Sequence, residues 1–163
     1  MWNYEECKGK VKPDKVSYQI NDRRVKSNNE NTFTDYSDAV AVESRYDGLG
    51  LGIFRSLSAM DIDHCVNTDG TMTVIGQSIA DIAGYHIDKS PSSSGLRVFF
   101  KAMGFKYDIA KYYINNTKLG VEVYVYGAIK KYVSVTGNVY QQSGVLEAAP
   151  QLQLTTIQDF SGI

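Results

Sequence analysis

The stretch Met60-Asp61-Ile62-Asp63-His64-Cys65-Val66 decides the fold prediction, because its apolar and polar residues alternate. Such alternation is typical of a β-strand with one buried and one polar face. It places Asp61 and Asp63 on the same face, and His64 on the opposite face as a core or interface residue. Two carboxylates this close repel each other unless a cation lies between them, and such oxygen ligands suit Mg²⁺ or Mn²⁺. Asp-x-Asp pairs also occur on solvated surfaces, so the spacing alone leaves both interpretations open.

A second strand with an acidic residue is predicted at Val121–Tyr126. Three valines point to one face of this strand, which leaves Glu122 on the other face. If this strand lies beside Met60–Val66, three carboxylates converge. That ligand set binds two divalent cations in phosphoryl transfer. A single glutamate on an apolar strand is otherwise typical of the solvent-exposed side, and this alternative stays open.

Hydroxyl groups are concentrated in the loop Ser90-Pro91-Ser92-Ser93-Ser94-Gly95, just before a predicted strand. Hydroxyls and backbone N–H groups of such a loop can surround phosphate oxygens. Basic residues follow, with Arg97 and Lys101 on one face of the next strand and Lys130 and Lys131 after the second acidic strand. Carboxylates beside basic side chains outline a nucleoside triphosphate site. The alternative is an ordinary charged surface with a solvated serine turn.

The periodicity along the whole chain predicts an α+β domain. Strands are predicted at Val16–Ile20, Gly48–Phe54, Met60–Val66, Tyr85–Asp88, Leu96–Lys101, Val121–Tyr126 and Lys131–Val135, and helices at about 32–44 and 74–83. The last two strands are predicted to form a hairpin, and Gly84 to end the second helix. The buried stripe of the first helix is predicted to contain Phe33, Tyr36 and Val40. Alternate glycines in Gly48–Phe54 leave one strand face without side chains, so another group is expected to approach closely there.

Length and composition exclude several classes of protein. The 163 residues fit one domain, 1–163, and 43% hydrophobic with 21% charged residues is typical of a globular chain. No apolar run approaches the roughly 20 residues of a bilayer span, and Met1–Lys10 lacks the apolar stretch of a secretory signal. A net charge of −1 excludes nucleic-acid binding by bulk electrostatics, so a polyanion requires a local basic patch. Cys7 and Cys65 are expected to be free thiols in a reducing cytoplasm.

Taken in order, these motifs resemble a known family. The resemblance is carried by Gly48-Leu49-Gly50, Met60-Asp61-Ile62-Asp63-His64-Cys65, Tyr85 with Ser90-Pro91-Ser92-Ser93-Ser94-Gly95-Leu96-Arg97, Val121-Glu122-Val123-Tyr124 and Lys131-Tyr132-Val133-Ser134-Val135-Thr136-Gly137. They resemble the primase–polymerase domain at the N-terminus of phage and plasmid replication proteins, within the archaeo-eukaryotic primase superfamily. The core motifs span 47–137. A weaker resemblance to the same family is an Asn-rich turn before a short helix, from Ser27 to Ala39.

The resemblance implies an RRM-like mixed or antiparallel sheet with flanking helices, and a primase-like catalytic core on its open face. It implies a DNA primase and DNA polymerase that transfers nucleotides with two Mg²⁺ or Mn²⁺ ions. The implied metal ligands are Asp61, Asp63 and Glu122, and the implied nucleotide-binding residues are Ser90, Ser92, Ser94, Gly95, Arg97 and Lys131. The implied partners are a nucleoside triphosphate, a single-stranded DNA template with its primer, and a helicase domain or protein. The implied location is the cytoplasm of a bacterial or phage-infected cell.

The main departure from the family is Arg97, which stands where the family usually has His. A guanidinium can grip phosphate but does not titrate near pH 7. The alternatives are therefore a non-catalytic module that binds single-stranded nucleic acid and a metal-dependent nuclease. In the binding module, Tyr107, Tyr112, Tyr113, Tyr124 and Tyr126 would stack on bases, whereas core packing is the other role open to these tyrosines.

Overall fold

The computed structural model describes residues 1–83, 86–101, 108, 115–116, 118–125, 127–128 and 131–141. Within these ranges the elements are β1 (Trp2–Glu5), β2 (Asp14–Ser17), α1 (Tyr36–Ala41), β3 (Leu49–Gly52), β4 (Leu57–Ile62), α2 (Val74–Ala83), β5 (His86–Lys89), β6 (Leu96–Lys101), β7 (Asn115–Asn116), β8 (Val121–Tyr124), β9 (Tyr132–Val135) and β10 (Val139–Gln141). Short 3₁₀ helices lie at Glu30–Thr32 and Glu43–Arg45. The predicted features at Gly84, Tyr85, Tyr126 and Lys130 lie outside the described residues.

The strands form one large and two small antiparallel sheets. The six-stranded sheet has the order β10-β5-β6-β4-β8-β7, while β1 pairs with β2 and β3 pairs with β9. The predicted α+β class is confirmed, with mostly antiparallel sheets and few helices. No helix among the described residues is long and apolar enough to cross a membrane.

One face of the large sheet carries the main hydrophobic core. Met60, Ile62, Leu96, Val98 and Val123 are buried there, and α2 packs Ile75, Ile79 and Ala80 against them. Ile75 and Ile79 belong to the apolar pattern that predicts this helix, whereas Val74 of the same pattern is 82% exposed. The observed helix, Val74–Ala83, has the predicted bounds.

The opposite face of the large sheet is partly covered by β9 and the segment after β3. Ala59, Phe99 and Tyr124 of the sheet pack against Ile53 and Val133 in a second cluster of buried residues. This arrangement brings β9 close to the polar side chains of β4, β6 and β8.

Gly48, just before β3, and Gly50 within it make room for aromatic rings, in agreement with the prediction that another group approaches closely there. A Cβ added at Gly48 would lie 2.6 Å from the Trp2 ring, and one at Gly50 would lie 2.9 Å from the Tyr132 ring. Real Cβ atoms do not come this close to a ring, so the rings occupy the space that side chains would need. Trp2 is fixed further by its indole N–H, which donates to the Leu49 carbonyl at 2.8 Å.

The predicted first helix and hairpin were partly wrong. The α-helical part of residues 32–44 covers only Tyr36–Ala41, and it contains no buried residue. Tyr36, predicted in the buried stripe, is 72% exposed. The predicted hairpin between β8 and β9 does not form, because β9 pairs with β3 instead.

Several predicted strand bounds also needed correction. β2 covers Asp14–Ser17 rather than Val16–Ile20. β4 begins earlier than predicted and ends at Ile62, so the alternation does not extend to Asp63 or His64, and the prediction that Asp61 and Asp63 share one strand face was wrong. His64 is exposed with a φ of 52°, and the prediction that it faces the core was wrong. β10 was not predicted.

Candidate metal and nucleotide site

Sheet register places four charged residues side by side on the face covered by β9. Asp61 on β4 is the Cα partner of both Arg97 on β6 and Glu122 on β8, and Asp88 on β5 is the partner of Arg97. Because directly opposed residues of adjacent strands project to the same face, these four form a charged row in the order Glu122, Asp61, Arg97, Asp88. The second acidic strand therefore lies beside β4, which is the condition stated for the three carboxylates to converge.

Asp61 and Arg97 are paired at the centre of this row. Their side chains are 17% and 6% exposed, Arg97 Nε lies 3.3 Å from Asp61 Oδ1, and Nη2 donates to Oδ2 at 3.3 Å. Although Nε and Oδ1 are within ion-pair distance, neither atom has a hydrogen-bond partner, since the N–H is poorly aligned with the oxygen. The contact is therefore mainly Coulombic. Arg97 is also tied to β9, because Nη1 donates to the Ser134 carbonyl at 3.3 Å.

The electrostatics of Asp61 indicate a concentration of negative charge. Burial raises the pKa of Asp61 most, the Arg97 guanidinium opposes that rise, and the charges of Asp63 and Glu122 add to it. The neighbouring carboxylates therefore interact with Asp61 through space. This is the field that attracts a cation.

Asp63 lies in the turn just after β4 and is exposed. Its backbone N–H donates to the Gly120 carbonyl at 2.7 Å. Glycine is required on both sides of this turn. A Cβ at Gly95 would lie 2.6 Å from the Ile62 carbonyl, and Gly120 has a φ of +66° with its Cβ position 3.0 Å from the Asp63 carbonyl. The serine loop and the segment before β8 thus meet at the acidic turn.

Glu122 is half-buried and accepts a hydrogen bond from the Tyr124 hydroxyl, two residues along the same strand face. Burial is the main cause that raises the pKa of Tyr124, and its bond to Glu122 adds to the rise. The exposed Lys131 places its ammonium 5.2 Å from the centre of the Tyr124 ring. Lys131 and Glu122 therefore both contact Tyr124.

Hydrogen bonds within the serine loop hold it in a compact turn. Its hydroxyls form a chain, with Ser90 Oγ 3.0 Å from Ser92 Oγ and Ser92 Oγ 2.8 Å from Ser94 Oγ. The loop closes through Ser90 N–H to the Gly95 carbonyl at 2.8 Å and Gly95 N–H to Ser90 Oγ at 3.0 Å. The Ser94 carbonyl accepts from Val66 N–H at 3.0 Å, which joins the loop to the segment after Asp63.

Sequence reasoning missed Lys15 on β2. Its ammonium lies 5.4 Å from the centre of the Trp2 ring, and its carbonyl accepts from the Tyr132 hydroxyl at 2.9 Å. Burial is the main cause that lowers the pKa of Lys15, the Arg97 charge adds to this, and Asp61 and Asp63 oppose it. Lys15 is thus within electrostatic reach of the charged row. The sequence contains no signal for this, because β2 is far from β4 along the chain.

The second missed residue is Asp88, which is 2% exposed. Its Oδ2 accepts from the N–H groups of Thr136 and Gly137 at 3.1 and 3.2 Å, and its Oδ1 lies 2.9 Å from His86 Nε2. This carboxylate joins β5 to the turn after β9. The Thr-Gly pair is a signal of a turn, but nothing in the sequence indicates its acceptor.

The donor chemistry of the site fits a divalent cation, although the ligands are not assembled around one. Among the described residues, no group of three or more His, Cys, Asp or Glu side chains is arranged to hold a metal ion. Carboxylate oxygens are nevertheless the ligands that Mg²⁺ and Mn²⁺ prefer, and Asp61 Oδ1 is a buried acceptor without a hydrogen-bond donor. Asp61, with Asp63 and Glu122 beside it, would hold the ion.

A cleft of about 1010 Å³ lies on the Asp88 side of the charged row. It is lined largely by apolar and aromatic residues, and polar groups are contributed by Glu43, Asp47, His86, Asp88 and Thr136. Neither Asp61 nor Glu122 lines the cleft, so the cleft adjoins the charged row at Asp88 and does not include these two carboxylates.

Of the tyrosines considered for base stacking, only Tyr124 belongs to the described residues. It is 6% exposed and its hydroxyl bonds Glu122, so its role is packing. Tyr107, Tyr112, Tyr113 and Tyr126 lie outside the described residues.

No protein-family model matches this sequence, and comparison with curated proteins finds no significant match.

Proposed function

We propose that this chain is a template-dependent nucleotidyltransferase, a DNA primase–polymerase that acts by two-metal phosphoryl transfer in phage or plasmid DNA replication. The single observation that carries the proposal is the register that makes Asp61 the direct neighbour of both Glu122 and Arg97. Three segments distant in sequence thereby supply two carboxylates and a guanidinium to one face, with Asp63 in the turn just after β4.

The strand order supports an RRM-like, primase-like core. The four strands β4, β5, β6 and β8 occur in this order along the chain, with the two-residue β7 between the last two, and their order in the sheet is β5-β6-β4-β8. This is the order expected for a β-α-β-β-α-β unit, with α2 as the first helix. The family resemblance implies an active site on the open face of the sheet, whereas the charged row lies on the face opposite α2, which β9 partly covers.

Each residue has a separate role in the proposed reaction. Divalent cations would supply activation of the attacking hydroxyl and neutralisation of the pyrophosphate leaving group. Asp61, Asp63 and Glu122 would hold these ions. Arg97, Lys131 and the Ser90–Gly95 loop would bind the phosphates, because a guanidinium fork, an ammonium and N–H groups all suit phosphate oxygens.

The test is extension of a labelled DNA primer on a template, with Mg²⁺ or Mn²⁺ and nucleoside triphosphates. Asp61→Asn and Glu122→Gln are expected to lower the rate by at least about 10²-fold, since loss of one group that stabilises transition-state charge typically costs about 10²–10³. The matched control is Asp81→Asn, which changes an exposed carboxylate of α2 on the other side of the sheet. Full extension by Asp61→Asn would disprove the proposal, and primer degradation without nucleotides would identify a nuclease instead.

One observation favours a second candidate, a non-catalytic module that binds single-stranded nucleic acid. Arg97 is paired with Asp61, so the central carboxylate already has a cationic partner. Such a module is expected to bind single-stranded DNA equally well with and without Mn²⁺ and to form no product. Binding that requires both metal and nucleotide would exclude it.

A further inference from the structure

Arg97 is buried in an arrangement that does not satisfy its donors. The residue is 5% exposed, and within the described residues its guanidinium donates two hydrogen bonds, to Ser134 O and Asp61 Oδ2, both at 3.3 Å. Its Nε, although 3.3 Å from Asp61 Oδ1, makes no hydrogen bond. A guanidinium can donate five hydrogen bonds, and optimised pairs with a carboxylate are bidentate and shorter.

The Asp61 carboxylate, on the other side of this pair, also lacks hydrogen bonds. Asp61 Oδ1 is buried without a hydrogen-bond donor. Asp61 is also repelled by the charges of two other acidic residues, Asp63 and Glu122. A buried carboxylate in a negative field requires a cation, and Arg97 supplies one that is poorly aligned.

We infer that Arg97 is an internal cation that occupies the side of Asp61 where a divalent ion would bind, so that guanidinium and metal compete for this carboxylate. The inference rests on the proposed function and adds a regulatory feature to the same site. The free protein then binds metal weakly, because the ion must displace Arg97 from Asp61. Once displaced, the guanidinium is available to a phosphate, which couples metal binding to nucleotide binding.

The test is titration of the full chain with Mn²⁺ alone, with free Mn²⁺ measured by electron paramagnetic resonance. Arg97→Gln is expected to bind Mn²⁺ about tenfold more tightly than the wild type, because the competing charge is removed. Arg97→Lys retains the charge and is expected to change the affinity less than about threefold. The matched control is Arg55→Gln, since Arg55 forms an exposed ion pair with Glu30. Its expected affinity equals that of the wild type.

A second readout covers variants with reduced stability. Removing Arg97 leaves Asp61 without its cation, so Arg97→Gln is expected to have a lower Tm without metal and a larger rise in Tm with Mn²⁺ than the wild type. Adding Asp61→Asn to this variant is expected to abolish the tight binding. If Arg97→Gln remains unfolded at saturating Mn²⁺, the ion does not replace the guanidinium and the inference is wrong.

The possible results separate this inference from the proposed function. Equal Mn²⁺ affinity in the wild type and Arg97→Gln, with weaker binding in Asp61→Asn, would overturn the competition and leave the metal site intact. No Mn²⁺ binding in any of the three would overturn both the competition and the two-metal proposal.

Discussion

Replacement of Asp88 tests how the charged row is held beneath β9. The Asp88 carboxylate accepts two backbone hydrogen bonds, from Thr136 at 3.1 Å and Gly137 at 3.2 Å, and contacts His86 Nε2 at 2.9 Å. Gly137 has a φ of +67°, a conformation that favours glycine and brings two successive N–H groups toward one oxygen. This turn follows Ser134, whose carbonyl accepts a hydrogen bond from Arg97. Loss of the Asp88 hydrogen bonds to the turn is therefore expected to weaken this contact of Arg97 as well.

The expected loss of unfolding free energy follows from the charge of the Asp88 carboxylate and from the burial of its hydrogen bonds. Hydrogen bonds to a charged group contribute about 1.5–3 kcal/mol each, and neutral ones about 0.5–1.5 kcal/mol. Asp88→Asn keeps an acceptor oxygen but loses the charge, so the free energy of unfolding is expected to fall by about 1–3 kcal/mol. Asp88→Ala loses every bond, but Thr136 and Gly137 are exposed and water can reach their N–H groups. The expected loss is therefore about 2–4 kcal/mol rather than the full sum.

Urea unfolding at pH 7 measures these losses, with an unchanged m-value as the sign that two-state folding is retained. Asp69→Ala is the matched control. Asp69 also accepts a backbone hydrogen bond, from Thr71 at 2.9 Å, but it lies in an exposed turn. Its expected cost is below about 1 kcal/mol. If Asp88→Ala lowers the free energy of unfolding no more than Asp69→Ala does, the Asp88 carboxylate does not hold the turn after β9 in place.

Three further predictions concern single residues. Ser93→Gly is expected to raise the free energy of unfolding, measured in urea, by up to about 1 kcal/mol. Ser93 has a φ of 58°, a conformation that costs a residue other than glycine about 1–2 kcal/mol, and the greater freedom of glycine in the unfolded chain offsets part of this gain. A lower free energy of unfolding in the variant would contradict this. Burial raises the pKa of the Cys65 thiol to about 11. Iodoacetamide at pH 8 is therefore expected to alkylate Cys7 first and Cys65 only on unfolding, as peptide mass spectrometry would show. Rapid labelling of Cys65 in the folded protein would refute this. The pKa of Asp61 is raised by burial above its usual 3.8, so the folded chain holds this proton more tightly. Without metal, the stability of the wild type relative to Asp61→Asn is therefore expected to fall as pH rises from 4 to 7, and a constant difference would be the contrary result.

Local patterns predicted the elements of the site more accurately than the pairing of strands. The bounds of α2 and β6 follow directly from helical spacing and from the apolar run after the serine loop, and both agree with the structure. The closeness of Glu122 to Asp61 was only a conditional prediction, because alternation defines a face but not a neighbour. The register between β4 and β8 meets that condition.

The errors arise where long-range contacts override a local signal. The glycine turn after β8 suggests a hairpin, but β9 pairs with β3, whose glycines let the Tyr132 ring lie against the strand. His64 follows the alternation in sequence, yet the chain leaves the sheet after Ile62 and exposes it. Lys15 and Asp88 reach the site through folds of the chain that no local pattern encodes.

The register of β4 with its two neighbours also determines where the chain can change length. Shifting a strand by one residue moves each of its side chains to the other face of the sheet. One extra residue early in β6 would therefore oppose an apolar side chain to Asp61 in place of Arg97. Insertions in the connecting segments leave this register unchanged. A single added residue within β4, β6 or β8 would instead change which side chains oppose each other in the charged row.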